Sequence, residues 1–287
     1  MTDAPIAAPT RPALRYLGGK WRLAPRLIAH FPPHRVYVEP FGGAASVLLR
    51  KPRAYAEIYN DLDDEVVSFF RVLRDPVQAR RLAELVALTP FARAEFEAAY
   101  APADDGLEAA RQIVIRSFMG HGPTATGKRS RTGFRADSNR SHTAPASDWC
   151  GVPANLIRVA ERLQGVVIER RPAAEVIARF DGPDTLHYVD PPYVPSTRSQ
   201  RKNRGQLEFG YAHELSLDDH TALLDQLNGA TGMVALSGYP SDLYAAQLKG
   251  WRRIEMDAMA DGARPRTEVL WLNAAACEAH GLFGAAA

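Results

Sequence analysis

Val36-Tyr37-Val38 running into Glu39-Pro40-Phe41-Gly42-Gly43-Ala44 narrows the fold of this chain more than any other stretch. A β-branched and aromatic run that breaks at a proline and a glycine pair reads as a buried strand entering a tight turn. Ala45 to Arg50 then has a helical pattern. A second strand, Ala56-Glu57-Ile58-Tyr59, ends at Asn60-Asp61, and Leu62 to Arg74 is again helical. Strand, glycine turn, helix, strand is the opening of a nucleotide-binding βαβ unit. The dinucleotide fingerprint is absent, because the glycines are adjacent and the third is missing. Asp61 stands about 20 residues beyond the turn, where such a unit places an acid on a ribose hydroxyl. It is also a candidate N-cap for the helix that follows, and the two roles are compatible. Glu39 in the first turn would repel a phosphate but attract an ammonium. The pattern points to an adenosine-containing cofactor with an amino group, such as that of a methionine moiety.

A second strand-ending acid lies far downstream. Thr185-Leu186-His187-Tyr188-Val189 reads as a buried strand, and Asp190-Pro191-Pro192-Tyr193 follows at once. The prolines stop the strand and hold the backbone extended. At the carboxyl edge of an open α/β sheet this is where ligands bind. The Asp190 carboxylate and the Pro191 carbonyl can accept hydrogen bonds from an exocyclic NH2, and the Tyr193 ring can stack on a flat base. The plainer alternative is a proline-rich turn with a surface tyrosine.

The α/β pattern holds on both sides of a long interruption. Val166 to Glu169 and Met233 to Ser237 read as strands, as do Arg252 to Met256 and Thr267 to Asn273. Pro172 to Phe180 is a helix with proline near its start, and Ser216-x-x-Asp219 is a capping box for a helix to about Asn228. Ser241 to Leu248 is a short helix. The last two strands adjoin through the loop Ala260 to Arg266, which suggests an antiparallel edge.

From Pro76 to Gly165 the character changes. Pro76 to Leu88, Phe91 to Tyr100 and Leu107 to Phe118 have helical periodicity, with Thr89-Pro90 as a helix-start signal. Another helix, Pro153 to Leu163, closes the interruption. Between Met119 and Gly151 lies a stretch poor in apolar residues, carrying Lys128, Arg129, Arg131, Arg135 and Arg140. A loop this long in a compact domain is usually functional or disordered, and interleaved arginine, serine, threonine and asparagine suit phosphates and guanine edges. A solvated basic loop is the alternative. A second basic loop, Ser196 to Gln206, holds Arg198, Arg201, Lys202 and Arg204 directly after the Tyr193 turn.

Composition excludes several classes. At 287 residues, 46% hydrophobic and 24% charged, the chain can bury a sizeable core and looks like an ordinary soluble protein. No apolar run approaches a membrane span. Met1 to Ala13 lacks the pattern of a signal peptide and is expected to be a short disordered tail on a cytoplasmic protein, in a bacterial or phage-infected cell. Cys150 and Cys277 sit in no metal-like spacing, so neither a zinc site nor a disulfide framework is expected. Net charge is only +2, so the basic loops, not the global balance, suggest nucleic acid.

In this order the motifs resemble those of the D12-class, Dam-type DNA adenine-N6 methyltransferases. Tyr16-Leu17-Gly18-Gly19-Lys20 is similar to the N-terminal cofactor motif, which often has tryptophan at the position of Tyr16. Val38-Glu39-Pro40-Phe41-Gly42-Gly43 resembles the main methionine-binding motif, Asn60-Asp61 the ribose-binding acid, and Asp190 to Tyr193 the catalytic motif. Phe209 to His220 and Leu236-Ser237-Gly238 resemble later, weaker motifs. Gly133-Phe134 is followed by Arg135-Ala136-Asp137, where members that methylate GATC carry further asparagine, proline and glycine.

The resemblance implies an α/β fold, a Rossmann-like S-adenosylmethionine-dependent methyltransferase sheet of about seven strands with a mainly helical target-recognition insert. The catalytic domain would be 1–75 and 166–287, and the insert 76–165. It implies S-adenosylmethionine as cofactor, double-stranded DNA as substrate, no metal, and a cognate restriction endonuclease as a candidate partner. Carried over by position, Asp190, Pro191, Pro192 and Tyr193 would be catalytic. Tyr16, Gly18, Lys20, Glu39, Pro40, Phe41, Gly42, Asp61 and Asp190 would hold the cofactor. Arg129, Arg131 and Arg135 would read DNA, and Arg198, Arg201 and Arg204 would grip it. Cytosine-N4 and RNA amine methyltransferases use the same amine chemistry but usually begin the catalytic motif with serine or asparagine. Cytosine-C5 enzymes need a cysteine in a Pro-Cys turn, which neither cysteine occupies. A catalytically silent DNA-binding relic is the alternative from another class.

Overall fold

The computed structural model describes residues 8–122, 126–127, 131–136, 144–194, 197, 213–260 and 264–284. In chain order these form α1 (Ala24–Ile28), β1 (Val36–Glu39), β2 (Ala56–Asn60), α2 (Asp64–Arg74), α3 (Pro76–Leu88) and α4 (Arg93–Ala98). Then come α5 (Gly106–Met119), α6 (Pro145–Cys150), α7 (Val152–Leu163), β3 (Val166–Glu169), α8 (Ala173–Phe180) and β4 (Thr185–Val189). The chain continues through α9 (Leu217–Asn228), β5 (Met233–Gly238), α10 (Asp242–Gln247), β6 (Arg252–Ala260), β7 (Arg264–Leu272) and α11 (Ala274–Gly284).

The strands make one seven-stranded sheet in the order β3-β2-β1-β4-β5-β7-β6. β1 pairs in parallel with both β2 and β4, and β4 in parallel with β5. β7 runs antiparallel between β5 and β6, as the adjoining of the last two strands suggested. The sheet grows outward in both directions from β1 and β4. Their carboxyl ends therefore flank a topological switch point, where an open α/β sheet binds its ligand.

The chain divides into two compact units. One comprises residues 1–21, 43–50 and 63–168; the other comprises 22–42, 51–62 and 169–287.

In the second unit strand alternation decides the two faces. Val189, Val234, Leu236, Val269 and Trp271 pack with Ile177, Leu223, Leu224, Leu227, Tyr244 and Leu248, which places α8, α9 and α10 over that face. Val38 and Ile58 join Val176. Tyr37 and Tyr188 alternate with these residues and meet Phe31 on the opposite face, with ring centroids 6.2 and 5.5 Å apart. Asn273, just past β7, closes the arrangement. Its side chain accepts from the Val234 amide and donates to the Gly232 carbonyl, and it also accepts from Ala276 at the start of α11. The capping box of α9 has both halves, with Ser216 Oγ accepting from the Asp219 amide and the Asp219 carboxylate accepting from the Ser216 amide.

The first unit is built on α2, α3, α5 and α7, whose apolar faces supply Val66, Phe69, Phe70, Leu73, Leu82, Val86, Ile113, Leu156 and Val159 to its interior. Arg116 on α5 is fully buried. It donates to the Thr126 and Ala99 carbonyls and pairs with Glu65 at 2.8 Å. The segment before Trp21 is tied to the same helices. The Arg15 amide donates to Ser117 Oγ, and Thr126 Oγ1 donates to the Arg15 carbonyl.

Several local expectations are corrected. Ala45 to Arg50 forms turns and not a helix, entered through Gly43 and Ala45 with left-handed φ of +47° and +53°. Trp21 to His30, whose sequence reads as an amphipathic helix, is helical only over α1. Thr89 does not start α4; it ends α3, and its carbonyl accepts from Trp149 Nε1 at 2.8 Å. The long polar stretch after α5 is anchored in part. Phe134 pairs with Gly120 and packs against Phe91 and Phe96 at 5.2 and 5.9 Å, and α6 lies within the same stretch. Helix α11 had no counterpart in the sequence reading.

Candidate active site

The Glu39-Pro40-Phe41-Gly42 turn is fixed by β2. The Asn60 side-chain amide donates to the Pro40 carbonyl at 2.8 Å, and the Gly42 amide donates to the Asn60 carbonyl at 2.8 Å. Asn60 also accepts from the Arg171 amide, so one side chain ties the turn to the segment before α8. Gly42 lies flush on the Tyr59 ring; a Cβ there would sit 2.1 Å from Tyr59 Cε2. Glu39 is 2% exposed, and Tyr37 donates to its Oε2 at 2.9 Å. Burial, and then the Glu39 charge, push the Tyr37 phenol well above its ordinary value, so it remains a donor. Phe41 and Asp61 are half-buried. The N-cap of α2 is Asp63, whose carboxylate accepts from the Glu65 amide at 3.0 Å, so the capping role proposed for Asp61 belongs to Asp63.

In the first unit, Tyr16, Gly18 and Lys20 form a tight turn. The Gly19 amide donates to the Tyr16 carbonyl, Gly18 has φ +72°, and the buried Lys20 donates to the Gly18 carbonyl at 3.1 Å. The Tyr16 ring covers Gly43, where a Cβ would come within 2.9 Å of it.

At the end of β4 the Asp190 side chain is gripped by neighbouring strands. Ser237 on β5 donates to Asp190 Oδ1 at 2.8 Å, and Ser237 Oγ lies 3.1 Å from the Tyr188 hydroxyl. The Tyr193 hydroxyl is 3.3 Å from the same Oδ1 and also donates to Glu268 on β7. Pro191 and Pro192 are buried. Tyr193 is 7% exposed, with its ring edge-on to Tyr239 at 4.4 Å between centroids. Burial, then the charges of Asp190 and Glu268, push the Tyr193 phenol well above its ordinary value.

Beside these residues lies a pocket of about 580 Å³ lined by Val194, Thr197, Tyr239, Ser241, Asp242 and Arg266, among others. The aromatic ring on its wall is that of Tyr239, with the Arg266 guanidinium 5.1 Å above the ring centroid. Tyr193 does not line it.

The basic loops are placed in part. Arg131 is exposed, its guanidinium 5.1 Å from the Tyr100 ring centroid. Arg135 is 7% exposed and lies 3.8 Å from Asp148, so its guanidinium faces protein. Lys128, Arg129 and Arg140 lie outside the described residues, as do Arg198, Arg201, Lys202 and Arg204.

Sequence reading alone did not assign Ser237, Tyr239 or Glu268 to the site. An acid ahead of Val269-Leu270-Trp271-Leu272 in an apolar strand is the signal that could have marked Glu268. Among the described residues no cluster of histidine, cysteine or acid could hold a metal ion, and Cys150 and Cys277 are free thiols. No helix among them is long and apolar enough to cross a membrane.

The model of one protein family, described as D12 class N6 adenine-specific DNA methyltransferase, matches residues 16–237. No curated protein matches the chain.

Proposed function

The chain belongs to the D12 class N6 adenine-specific DNA methyltransferases, and from that membership we propose that it methylates N6 of an adenine extruded from double-stranded DNA, by direct in-line transfer. Asp190 carries this reading. It stands at the carboxyl end of β4, beside the switch point, with Oδ1 held by Ser237.

The residues at the strand ends suit S-adenosylmethionine. Glu39 offers a buried carboxylate to an ammonium, and Asp61 a half-buried one to a ribose diol. Phe41, Pro40 and Gly42 form the turn between them, and Tyr16, Gly18 and Lys20 are the further proposed contacts. When bound, the cofactor supplies an electrophilic methyl group on a sulfonium.

An exocyclic amine is a poor nucleophile because its lone pair is delocalised into the ring. Asp190 and the Pro191 carbonyl would accept hydrogen bonds from that amine, favouring a tetrahedral nitrogen with a localised pair. Holding the reactants in line contributes roughly 7–11 kcal/mol. Extruding the base costs a few kcal/mol, and aromatic stacking offsets about 1–3 kcal/mol of it. The pocket walled by Tyr239 and Arg266 supports a base bound outside the duplex. Residues 76–165 are the proposed recognition insert, and of Arg131 and Arg135 it is Arg131 that is exposed. Arg129, Arg198, Arg201 and Arg204 are proposed to contact DNA on their sequence alone.

DNA from a host expressing the protein should contain N6-methyladenine at one sequence context, and DNA from a host expressing Asp190→Ala should not. Purified Asp190→Ala should retain S-adenosylmethionine and DNA binding in large part. Near-wild-type methylation by that variant would overturn the assignment.

A further inference from the structure

Glu268 lies on β7 one residue outside the last β5–β7 pair, Gly238 with Val269. That register puts its side chain by the carboxyl end of β5, near Ser237. It is 3% exposed, and a carboxylate so buried is costly unless hydrogen-bonded. The Tyr193 hydroxyl donates to it. The same hydroxyl stands 3.3 Å from Asp190 Oδ1. One phenolic hydrogen thus lies between two carboxylates, and a phenol has only one proton to give.

We propose that Glu268 is a positioning residue for methyl transfer: by holding the Tyr193 hydrogen it keeps that hydrogen off Asp190, whose acceptor strength stays available to the substrate amine. This rests on the role given to Asp190 above. Without the Glu268 carboxylate the Tyr193 hydroxyl turns fully onto Asp190 Oδ1. Asp190 then accepts two hydroxyl hydrogens there, the other from Ser237. A carboxylate that already accepts two strong bonds is a weaker acceptor for a third. Burial keeps the Tyr193 phenol protonated, so the hydrogen is present throughout the working pH range.

The consequence is a specific sign of coupling. Glu268→Gln should slow single-turnover methylation about tenfold, with affinities for S-adenosylmethionine and DNA unchanged. Adding Tyr193→Phe removes the competing hydrogen, so Glu268→Gln with Tyr193→Phe should be faster than Glu268→Gln alone. A residue that merely supports packing predicts the reverse, since two core changes accumulate. A neutral amide oxygen accepts the hydroxyl hydrogen less strongly than a carboxylate, and Glu268→Ala, with and without Tyr193→Phe, repeats the test with no acceptor oxygen at that position. The experiment measures single-turnover rates on a methylatable duplex, with cofactor affinity by calorimetry and thermal unfolding for each variant. An unchanged rate in both Glu268 variants overturns the proposal, and so does a double variant as slow as its Glu268 parent. If wild type methylates adenine and Asp190→Ala does not, such results sink only the role of Glu268. If Asp190→Ala remains active, the reading of the site fails with it.

Discussion

Gly42 lies against the face of Tyr59 so closely that a methyl group on its α-carbon would stand 2.1 Å from a ring carbon. The contact joins the turn after β1 to β2, and the Gly42 amide bonded to the Asn60 carbonyl reinforces it. Tyr59 is fully buried and has no room to withdraw. Gly42→Ala should therefore lower stability by about 1–3 kcal/mol, the usual cost of overpacking. It should also weaken S-adenosylmethionine binding, because the turn carrying Glu39 must move. Urea unfolding and calorimetry measure the two effects. Tyr59→Leu in the same chain should recover part of the stability, and a purely additive double variant would show that the contact is not the cause.

Asp61 and Asp63 separate binding from folding. Asp63 caps α2, so Asp63→Ala should cost about 1 kcal/mol of stability. Asp61 does not cap the helix. Asp61→Ala should instead weaken cofactor binding by about 1.5–3 kcal/mol, the worth of a hydrogen bond to a charged group, with a smaller change in unfolding. Equal cofactor affinity in wild type and Asp61→Ala would remove the ribose role.

Arg131 and Arg135 should behave differently although they are neighbours in one basic segment. Arg131 is exposed, whereas Arg135 is buried near Asp148. Arg131→Ala should leave stability intact. It should either relax discrimination by about 1–3 kcal/mol at one base pair or reduce the salt dependence of binding by roughly one unit of slope. Arg135→Ala should lower the melting temperature first. Methylation of single-substituted sites at two salt concentrations, with thermal unfolding of each variant, decides between them. A stable Arg135→Ala with altered site preference would reverse the assignment.

His187 predicts how stability depends on acid. It is fully buried on β4, and burial holds its pKa below the ordinary 6.5 despite the Asp181 carboxylate 3.2 Å away. The unfolded chain therefore takes up a proton there before the folded one does. Stability should fall as pH drops below about 6.5, by up to roughly 1.36 kcal/mol per unit for this group. Burial raises the Asp181 carboxyl, but the Thr231 and Gly232 amides and His187 outweigh it and hold it below 3.8. Its contribution is lost only at lower pH. Between these limits His187→Gln should show a flatter dependence of unfolding free energy on pH than wild type. An unchanged slope would place the acid sensitivity elsewhere, His30 and His34 being lowered in the same direction.

The sequence by itself determined the succession of the strands, the Asp-Pro-Pro-Tyr turn, the capping box of α9, the antiparallel last pair and the family, because each is written in neighbouring residues; the expected loop Ala260 to Arg266 is instead strand at Ala260 and from Arg264 to Arg266. Apolar runs, prolines and capping residues act over a few positions, and β1, β3 and β4 lie where those runs lie. The tertiary structure decided what depends on distant partners. The stretch Ala45 to Arg50, helical in its sequence pattern, became turns entered through the left-handed Gly43 and Ala45. The Met119–Arg135 backbone bond and the Phe134 contacts drew one arginine of a basic segment inward, while Arg131 stayed exposed. The pairing of β4 with β5 brought Ser237 to Asp190, and the pairing of β5 with β7 brought Glu268 to Tyr193 across 75 residues of sequence. Such meetings are set by strand register, and register is a property of the packed sheet, not of any one segment.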